Sequence, residues 1–259
     1  MNKFLKFLFI AIAAVPFLTS CSKNGDSDYP RYSAYMTLNT GPMGIGYYFT
    51  ADNGKTYYPS DVSRIIPAYE TVDDDDVSKD GKRVAVYYNL LNEKKEGYDY
   101  NIALYFIGDI LSKTVEVAET EEEVTEAGDD RLDIFNAAIQ GEWLDIVFDI
   151  LTYESTHKMT LLDNQTADLE DIEVPEDYQY LEFRQKTESK KQETGTLSRG
   201  IVSFKLGEYH PKTTGSKGLY IRIKSLNGDV VYKKLDYKAG TSASLQINSI
   251  PTPNMDRIR

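Results

Sequence analysis

The side chains best suited to covalent or acid–base chemistry in this sequence are one thiol and two imidazoles. Cys21 follows the tripeptide LTS, and this order resembles the bacterial lipoprotein box, in which the thiol is alkylated with diacylglycerol. The alternative is an ordinary export signal with a chance cysteine. His157 and His210 would each need a serine and a carboxylate brought close by the fold, and a histidine near a strand end is more often a surface or turn residue. The sequence therefore predicts lipidation of Cys21 and no catalytic residue.

Trp143, Asp145 and Asp149 form a candidate ligand-binding site, because their spacing places them on one face of a strand. The two carboxylates would lie roughly 13 Å apart, which exceeds the separations that glycosidases use. An aromatic ring beside carboxylates can nevertheless stack on a sugar and hydrogen-bond to it. The alternative is that the three residues form the solvent-exposed face of an antiparallel strand.

The segment Asp76-x-Ser78-x-Asp80-Gly81 resembles the first half of a calcium-binding loop. Position twelve of such a loop is Tyr87 instead of a bidentate glutamate, and strand patterns rather than helical ones flank the segment. A solvated acidic loop therefore explains it better. The sequence predicts no metal and no cofactor.

The N-terminal segment has the composition of a secretory signal. Lys3 and Lys6 precede an apolar stretch of twelve residues, 7–18, which is too short to span about 30 Å of hydrocarbon. We therefore expect a signal peptide over residues 1–20, a tether over residues 21–28, and a mature chain that a lipid anchor attaches to the outer membrane. Ser22 follows the cysteine in place of the aspartate that retains lipoproteins at the inner membrane in many bacteria. The two aspartates of residues 22–28 are not contiguous, so both periplasmic and surface-facing attachment remain open.

Composition excludes several functional classes. The chain has 259 residues and a formal net charge of −12, which argues against nucleic-acid binding because phosphate neutralisation needs a basic surface. One cysteine excludes an internal disulfide framework. A hydrophobic content of 41% is ample for a buried core, and the length suggests one large domain or two ordinary ones.

Beyond the tether the hydrophobic period is two, which is typical of strands. In the first half this pattern covers Tyr32–Leu38, Tyr47–Ala51, Lys55–Tyr58, Arg83–Leu91 and Tyr98–Ile107. Residues 115–130 carry eight acidic residues and no basic one, which indicates a solvated connection between domains. In the second half the pattern covers Trp143–Leu151, His157–Leu162, Tyr178–Arg184, Ile201–Leu206, Leu219–Lys224 and Val230–Tyr237. The sequence therefore predicts an all-β fold, with a sandwich in the second half and a loosely ordered tail over residues 241–259.

Several of these strand segments resemble a known family. The stretch from Asp80 to Lys113, the run GEWLDIVFDI, YLEFRQ (Tyr180–Gln185) and GIVSFKL (Gly200–Leu206) are similar to NigD-like lipoproteins. The resemblance implies an N-terminal OB-like barrel over residues 29–125 and a C-terminal β-sandwich over residues 126–240. It also implies an envelope lipoprotein of the Bacteroides group whose family name comes from genes associated with a bacteriocin. It implies no catalytic residue.

These observations together favour an envelope-anchored, non-catalytic lipoprotein that acts as a binding module for a glycan or a partner protein. The alternative is a bacteriocin-associated protective or structural envelope protein. A hydrolase that uses His157 or His210 is a third class. The expected partners are the membrane, through the lipid anchor, and a glycan or an envelope protein, with no nucleic acid.

Overall fold

The chain folds into a small closed barrel followed by a larger sheet that folds over on itself. A computed structural model describes residues 29–41, 46–61, 63, 81–153, 155–188 and 195–238. Within these ranges most regular structure is strand, so the predicted all-β fold, an OB-like barrel followed by a β-sandwich, is confirmed. Outside the described residues lie the expected signal peptide, the tether with Cys21, the segment Asp76–Asp80 and the tail over residues 241–259.

The barrel consists of β1 (Tyr32–Thr40), β2 (Tyr47–Ala51), β3 (Thr56–Pro59), β4 (Lys82–Leu90) and β5 (Tyr100–Asp109). Its strand order is β1-β2-β3-β5-β4, and β4 pairs with β1 to close the sheet. Alternate residues along each strand point inward, and the largest fully buried ones include Met36, Leu38, Phe49 and Ile102. Closure leaves the barrel without an exposed sheet edge.

A β-bulge in β5 exchanges the inward and outward sides partway along the strand. The pairing register with β4 shifts between Tyr87 and Tyr88, which leaves Tyr105 as the extra residue. Strict alternation predicts that Phe106 faces inward, but Ile107 is buried there and Phe106 is 52% exposed. One extra residue shifts a period-two pattern by one position, so the sequence pattern alone misplaces Phe106.

The second sheet contains β6 (Leu111–Ala118), β7 (Leu132–Gln140), β8 (Trp143–Thr152), β9 (Thr156–Asn164), β10 (Tyr178–Glu188), β11 (Thr196–Lys205), β12 (Gly218–Lys224) and β13 (Val230–Asp236). The strand order is β13-β12-β10-β9-β6-β11-β8-β7. The first half of β6 pairs in parallel with β11, and its second half pairs in parallel with β9. Strand β6 therefore belongs to both halves of the sheet.

Aromatic contacts show that the sheet forms two packed layers. Strands β10 and β11 are separated by two others in the sheet, yet the rings of Phe183 and Phe204 lie 5.8 Å apart. Phe183 also contacts Phe148 of β8, at 5.7 Å between ring centroids. Buried residues from six of the eight strands share this core, and partly buried residues of β6 and β13 pack against it. Edge-to-face ring contacts of this kind stabilise a core beyond the area that they bury.

The acidic segment 115–130 is structured instead of being a simple connection. Its first part is the end of β6, and helix α1 (Glu121–Ala127) follows, with Thr120 and Glu123 forming a capping box at its start. Val124 and Ala127 of this helix are buried. The barrel therefore ends at Ile110, earlier than the expected boundary at residue 125. The segment resembles a connection in sequence because its acidic side chains occupy the outward positions of elements whose other face is buried.

A second helix, α2 (Pro211–Thr214), follows a 3-10 turn (Gly207–Tyr209).

Candidate functional site

Strand β8 buries both of its faces. Leu144, Ile146 and Phe148 point into the sandwich core. On the other face Trp143 is 2% exposed and Asp145 is fully buried, because the barrel covers them. The indole Nε1 of Trp143 donates a hydrogen bond of 3.0 Å to Thr37 Oγ1 on β1.

Arg83 of β4 connects the two domains through this covered face. Its guanidinium donates to Asp145 of β8, with Nη2 at 2.7 Å, and to Asp52 of the β2–β3 turn, with Nη1 at 2.7 Å and Nη2 at 3.0 Å. Ser203 of β11 donates a further bond of 2.6 Å to Asp145. Burial lowers the pKa of Arg83, but the two carboxylates more than offset this and hold it above its usual range. This arrangement positions domains and does not face solvent.

Asp149 lies at the edge of the covered face and is paired within the chain. Arg199 of β11 donates to both carboxylate oxygens of Asp149, at 2.8 and 2.9 Å. The arginine also lies over the ring of Phe135, at 3.5 Å from the ring centroid. The expected site of Trp143, Asp145 and Asp149 is therefore corrected. The three side chains share one strand face, but that face is largely a domain interface, so Trp143 and Asp145 are not available to a glycan.

His157 is buried in the sandwich instead of lying at the surface. Its Nε2 is 3.2 Å from Ser155 Oγ, and its Nδ1 is 2.8 Å from Gln185 Nε2. This row resembles a serine–histidine pair with an orienting group, but the orienting group is an uncharged amide. The amide nitrogen of Gln185 can only donate, so Nδ1 accepts this bond and Nε2 carries the ring proton, which it donates to Ser155 Oγ. An imidazole bonded in this way cannot take the serine proton, so the geometry favours a structural role.

His210 uses both ring nitrogens to hold a loop. Nε2 donates to the carbonyl oxygen of Gly141 at 2.9 Å, and Nδ1 accepts from the backbone N–H of Lys212 at 3.0 Å, which caps α2. Burial lowers the pKa of His210 below its ordinary value. A neutral imidazole with both nitrogens bonded inside the chain is a structural element.

A cavity of about 240 Å³ opens at one end of the sandwich. Its lining consists of Asp130, Arg131, Leu151, Tyr153, Gln185 and Thr187. The backbone N–H of Thr187 donates to Asp130 Oδ2 at 2.7 Å. Neither histidine contributes to this lining, so the cavity offers polar contacts without an assembled acid–base pair.

Three tyrosines converge on the outer surface of the barrel, and we call them the tyrosine face. Tyr98 of the β4–β5 loop lies between Tyr48 of β2 and Tyr58 of β3, with ring centroids 5.7 and 5.2 Å away. Lys95 Nζ lies 4.7 Å from the centroid of the Tyr58 ring. All three rings are half-buried. The face therefore presents aromatic surface and phenolic hydroxyl groups beside a cation.

Local sequence explains why the tyrosine face forms. Phe49 and Tyr57 point into the barrel core, so their strand neighbours Tyr48 and Tyr58 point outward. The loop that carries Tyr98 is held by Asp99, which accepts bonds from Lys55 Nζ at 2.7 Å and from the backbone N–H of Thr56 at 2.9 Å. These bonds lower the pKa of Asp99 to about 2. The loop is therefore fixed against β3 by an ion pair and backbone contacts.

The strand patterns in the sequence do not group these three tyrosines into one face. The outward positions of Tyr48 and Tyr58 follow from alternation in β2 and β3, which was the available signal. The approach of Tyr98 depends on the loop conformation, which no pattern in the sequence indicates. Among the described residues, no group of three or more His, Cys, Asp or Glu side chains is placed to hold a metal ion, and no helix is long and apolar enough to cross a membrane.

Solved structures share this two-domain fold. A protein of unknown function from Bacteroides vulgatus has a TM-score of 0.62 and 19% identity, covering 85% of this chain and 93% of that one. A protein provisionally described as toxin-related, from Parabacteroides distasonis, has a TM-score of 0.60 and 22% identity, covering 81% and 94%. A protein provisionally described as a lipoprotein, from Bacteroides fragilis, has a TM-score of 0.51 and 14% identity, covering 81% and 99%.

The family comparison agrees with the observed division of the chain. None of the curated proteins compared with the chain matches it. Residues 35–110 match the NigD-like N-terminal OB domain, and residues 114–237 match the NigD-like C-terminal β-sandwich domain. These two ranges meet near Ile110, where the barrel ends and the second sheet begins. With both domains present in this order, the chain belongs to the NigD-like family.

Proposed function

We propose that this protein is a lipid-anchored, non-catalytic envelope protein that binds a glycan on the tyrosine face. The observation that carries the proposal is the convergence of Tyr48, Tyr58 and Tyr98 on one surface of the barrel. In OB barrels the surface of the second and third strands, together with the loop between the fourth and fifth, binds oligosaccharides or oligonucleotides. The tyrosine face lies on these same elements.

The chemistry of the face suits a sugar better than a nucleic acid. Phenol rings offer apolar surface for the C–H faces of a pyranose and hydroxyl groups for its hydroxyls. Ser60, which follows β3, and Asn101 of β5 are hydrogen-bonded at 2.9 Å and add polar groups beside the rings. A net charge of −12 disfavours a polyanionic ligand.

The absence of catalysis is supported by how the candidate catalytic groups are used. His210 bonds to Gly141 and Lys212, and His157 is oriented by an uncharged glutamine. Attachment to the envelope is supported by the LTSC sequence that ends at Cys21. Two or more acyl chains on this cysteine would anchor the mature chain stably to the outer membrane.

Glycan-array binding of the mature chain, residues 21–259, tests the proposal. Each stacked ring contributes about 1 kcal/mol, so Tyr58→Ala and Tyr98→Ala should each weaken glycan binding roughly fivefold. Tyr220→Ala is the matched control, because Tyr220 stacks on Tyr232 at 5.2 Å on the sandwich, away from the tyrosine face. Affinity for the bound glycan should be unchanged in this control.

Two results would contradict the proposal. One is an array in which the mature chain binds no glycan. The other is a bound glycan whose affinity is unaltered in the triple variant Tyr48→Ala, Tyr58→Ala and Tyr98→Ala, with the melting temperature showing that the variant is folded.

A further inference from the structure

The barrel exposes a group of large apolar side chains at the end where the described chain begins. We call this group the N-terminal rim, and it consists of Tyr29, Tyr32, Leu90, Leu91 and Tyr100. Their exposed fractions range from 39% for Leu91 and Tyr100 to 80% for Tyr29. Exposed apolar residues that cluster together, unlike scattered ones, mark an interaction surface.

Strand pairing brings these residues to the same end of the barrel. Tyr32 is opposite Tyr88 in the β1–β4 pair, and the backbone N–H of Arg31 donates to Asn89 Oδ1 at 2.7 Å. Leu90 is opposite Ile102 in the β4–β5 pair, close to the start of β5 at Tyr100.

The rings form a continuous row across this end. Tyr32 stacks on Tyr88 at 5.6 Å, Tyr88 meets Tyr57 at 5.6 Å, and Tyr57 stacks on Tyr100 at 4.7 Å. The row therefore closes the barrel end with aromatic side chains, and the outermost rings, Tyr32 and Tyr100, are exposed.

The charge around the rim differs from that of the whole chain. Residues 29–32 and 89–100 carry three basic side chains, Arg31, Lys94 and Lys95, and three acidic ones, Glu93, Glu96 and Asp99. This end is therefore neutral in a chain whose net charge is −12. A neutral surface can approach an anionic membrane without the repulsion that the rest of the molecule would meet.

The connection to Cys21 limits how far the rim can lie from the anchor. Seven residues separate Cys21 from Tyr29, and the eight Cα–Cα steps between them span at most about 29 Å when fully extended. The chain leaves the barrel for the sandwich at the opposite end of the β4–β5 pair, where Asp109 is opposite Val84 near the start of β4. The rim is thus the part of the barrel next to the anchor.

We propose that the N-terminal rim rests on the lipid surface of the membrane beside the acyl chains on Cys21. Tyrosine rings favour the membrane–water interface, and leucine side chains favour the acyl boundary below it. The contact gives the barrel a fixed orientation relative to the membrane. The proposal rests on the lipid anchoring proposed above, and it does not depend on the ligand of the tyrosine face.

Coupling the mature chain to vesicles through its only thiol tests this contact without relying on cellular lipidation. Cys21 is joined to a maleimide lipid in phosphatidylethanolamine–phosphatidylglycerol vesicles, and hydroxyl-radical footprinting compares the coupled chain with a thiol-blocked soluble chain. We expect a several-fold drop in modification of the five rim residues. Phe135 and Leu197, which are exposed on the sandwich, should be modified equally in both samples.

A double variant separates docking from simple proximity to the vesicle. Leu90→Ser with Leu91→Ser should restore modification of Tyr32 and Tyr100 on vesicles, whereas the control Leu197→Ser should leave both protected. Rim residues that stay fully reactive on vesicles would overturn the proposal. Protection of Phe135 to the same degree as the rim residues would also overturn it. Intact mass of the envelope-extracted protein distinguishes the two proposals: an unmodified Cys21 overturns anchoring and docking together, whereas an acylated Cys21 with a reactive rim overturns docking alone.

Discussion

Arg83 is a buried cation that lies between two carboxylates from different parts of the chain. Asp52 comes from the barrel and Asp145 from the sandwich, and all three side chains have little or no contact with water. Burying charges is costly, so the cluster is favourable only while each charge keeps its partners. The cluster therefore stabilises the folded chain only while Arg83, Asp52 and Asp145 are all present.

Replacing Arg83 with methionine should lower the free energy of unfolding by about 3–5 kcal/mol, because two buried carboxylates lose their cation. Urea unfolding of the mature chain measures this loss. Arg199→Met is the matched control, since Arg199 makes a similar two-oxygen pair with Asp149 but is 29% exposed. The control should lose less than about 1 kcal/mol. Equal losses in the two variants would contradict the role of burial.

His210 should make stability depend on pH. Burial lowers its folded-state pKa below the unfolded value, so the unfolded state binds a proton first as the pH falls. The contribution of His210 is complete above the unfolded pKa of about 6.5 and declines below it. From about pH 7.5 to about pH 5, wild type should lose more unfolding free energy than His210→Asn. Parallel pH profiles of the two proteins would refute this linkage.

At the scale of elements, alternation located most strands but misassigned the outer face of β8. The apolar set Leu144, Ile146 and Phe148 is buried in the core as the pattern predicts. The opposite set contains a tryptophan and two aspartates, and polar alternation normally indicates solvent. Here that set faces the barrel, and Arg83 satisfies the buried carboxylate of Asp145. A single strand pattern cannot distinguish water from a polar domain interface.

The acidic segment shows a related limit of the sequence pattern. Val115 and Val117 alternate with polar residues, as a strand requires, but eight acidic side chains in the segment indicate a connection. The structure pairs Val115 with Leu161 in the parallel β6–β9 ladder. The pairing partner lies far along the chain, so nothing local predicts it.

Gly218 begins β12 where β13 approaches closely. A Cβ at this position would lie 1.9 Å from the carbonyl oxygen of Leu235, so Gly218→Ala must separate the two strands. We expect a loss of about 3 kcal/mol in unfolding free energy from this overpacking, measured by urea unfolding. Gly215→Ala is the control, because its φ is +75° and its Cβ would meet no atom within 4 Å. The control should lose about 1 kcal/mol, and an equal or larger loss there would contradict the steric account.

At the scale of the molecule, a small apolar cluster joins the barrel to the sandwich. Tyr35 of the barrel packs with Val147 and Ile201 of the sandwich and with Ile110 of the connection. The Arg83 cluster lies beside it, because the Arg83 guanidinium is 5.9 Å from the centroid of the Tyr35 ring and Asp145 is on the same strand as Val147. The two domains therefore share one buried interface with both apolar and ionic contacts.

Because of this interface, the mature chain should unfold in one calorimetric transition. Val147→Asp places an unpaired charge in the apolar cluster and should split the transition into two. Val230→Asp is the control, because Val230 is exposed on the sandwich and should leave one transition. Two separate transitions in the wild-type chain would show that the domains are not coupled.

The binding site predicted from the sequence differs from the surface that the structure presents, because a sequence pattern describes one strand at a time. Trp143 and Asp145, which the pattern predicted to bind a ligand, lie close together on β8 and contact the barrel. The tyrosine face combines β2, β3 and a distant loop, so it exists only after the barrel closes. Local patterns describe single strands well and describe surfaces assembled from several strands poorly.

The shared strand β6 has a consequence for the order in which the chain can fold. Its two partners, β9 and β11, are both made later, and both pair with it in parallel. Parallel ladders between distant segments form slowly, because loop closure must precede the contacts that reward it. Strand β6 therefore cannot acquire its complete hydrogen-bond ladder until β11 has emerged, and refolding of the sandwich should be slow compared with that of helical proteins of similar length.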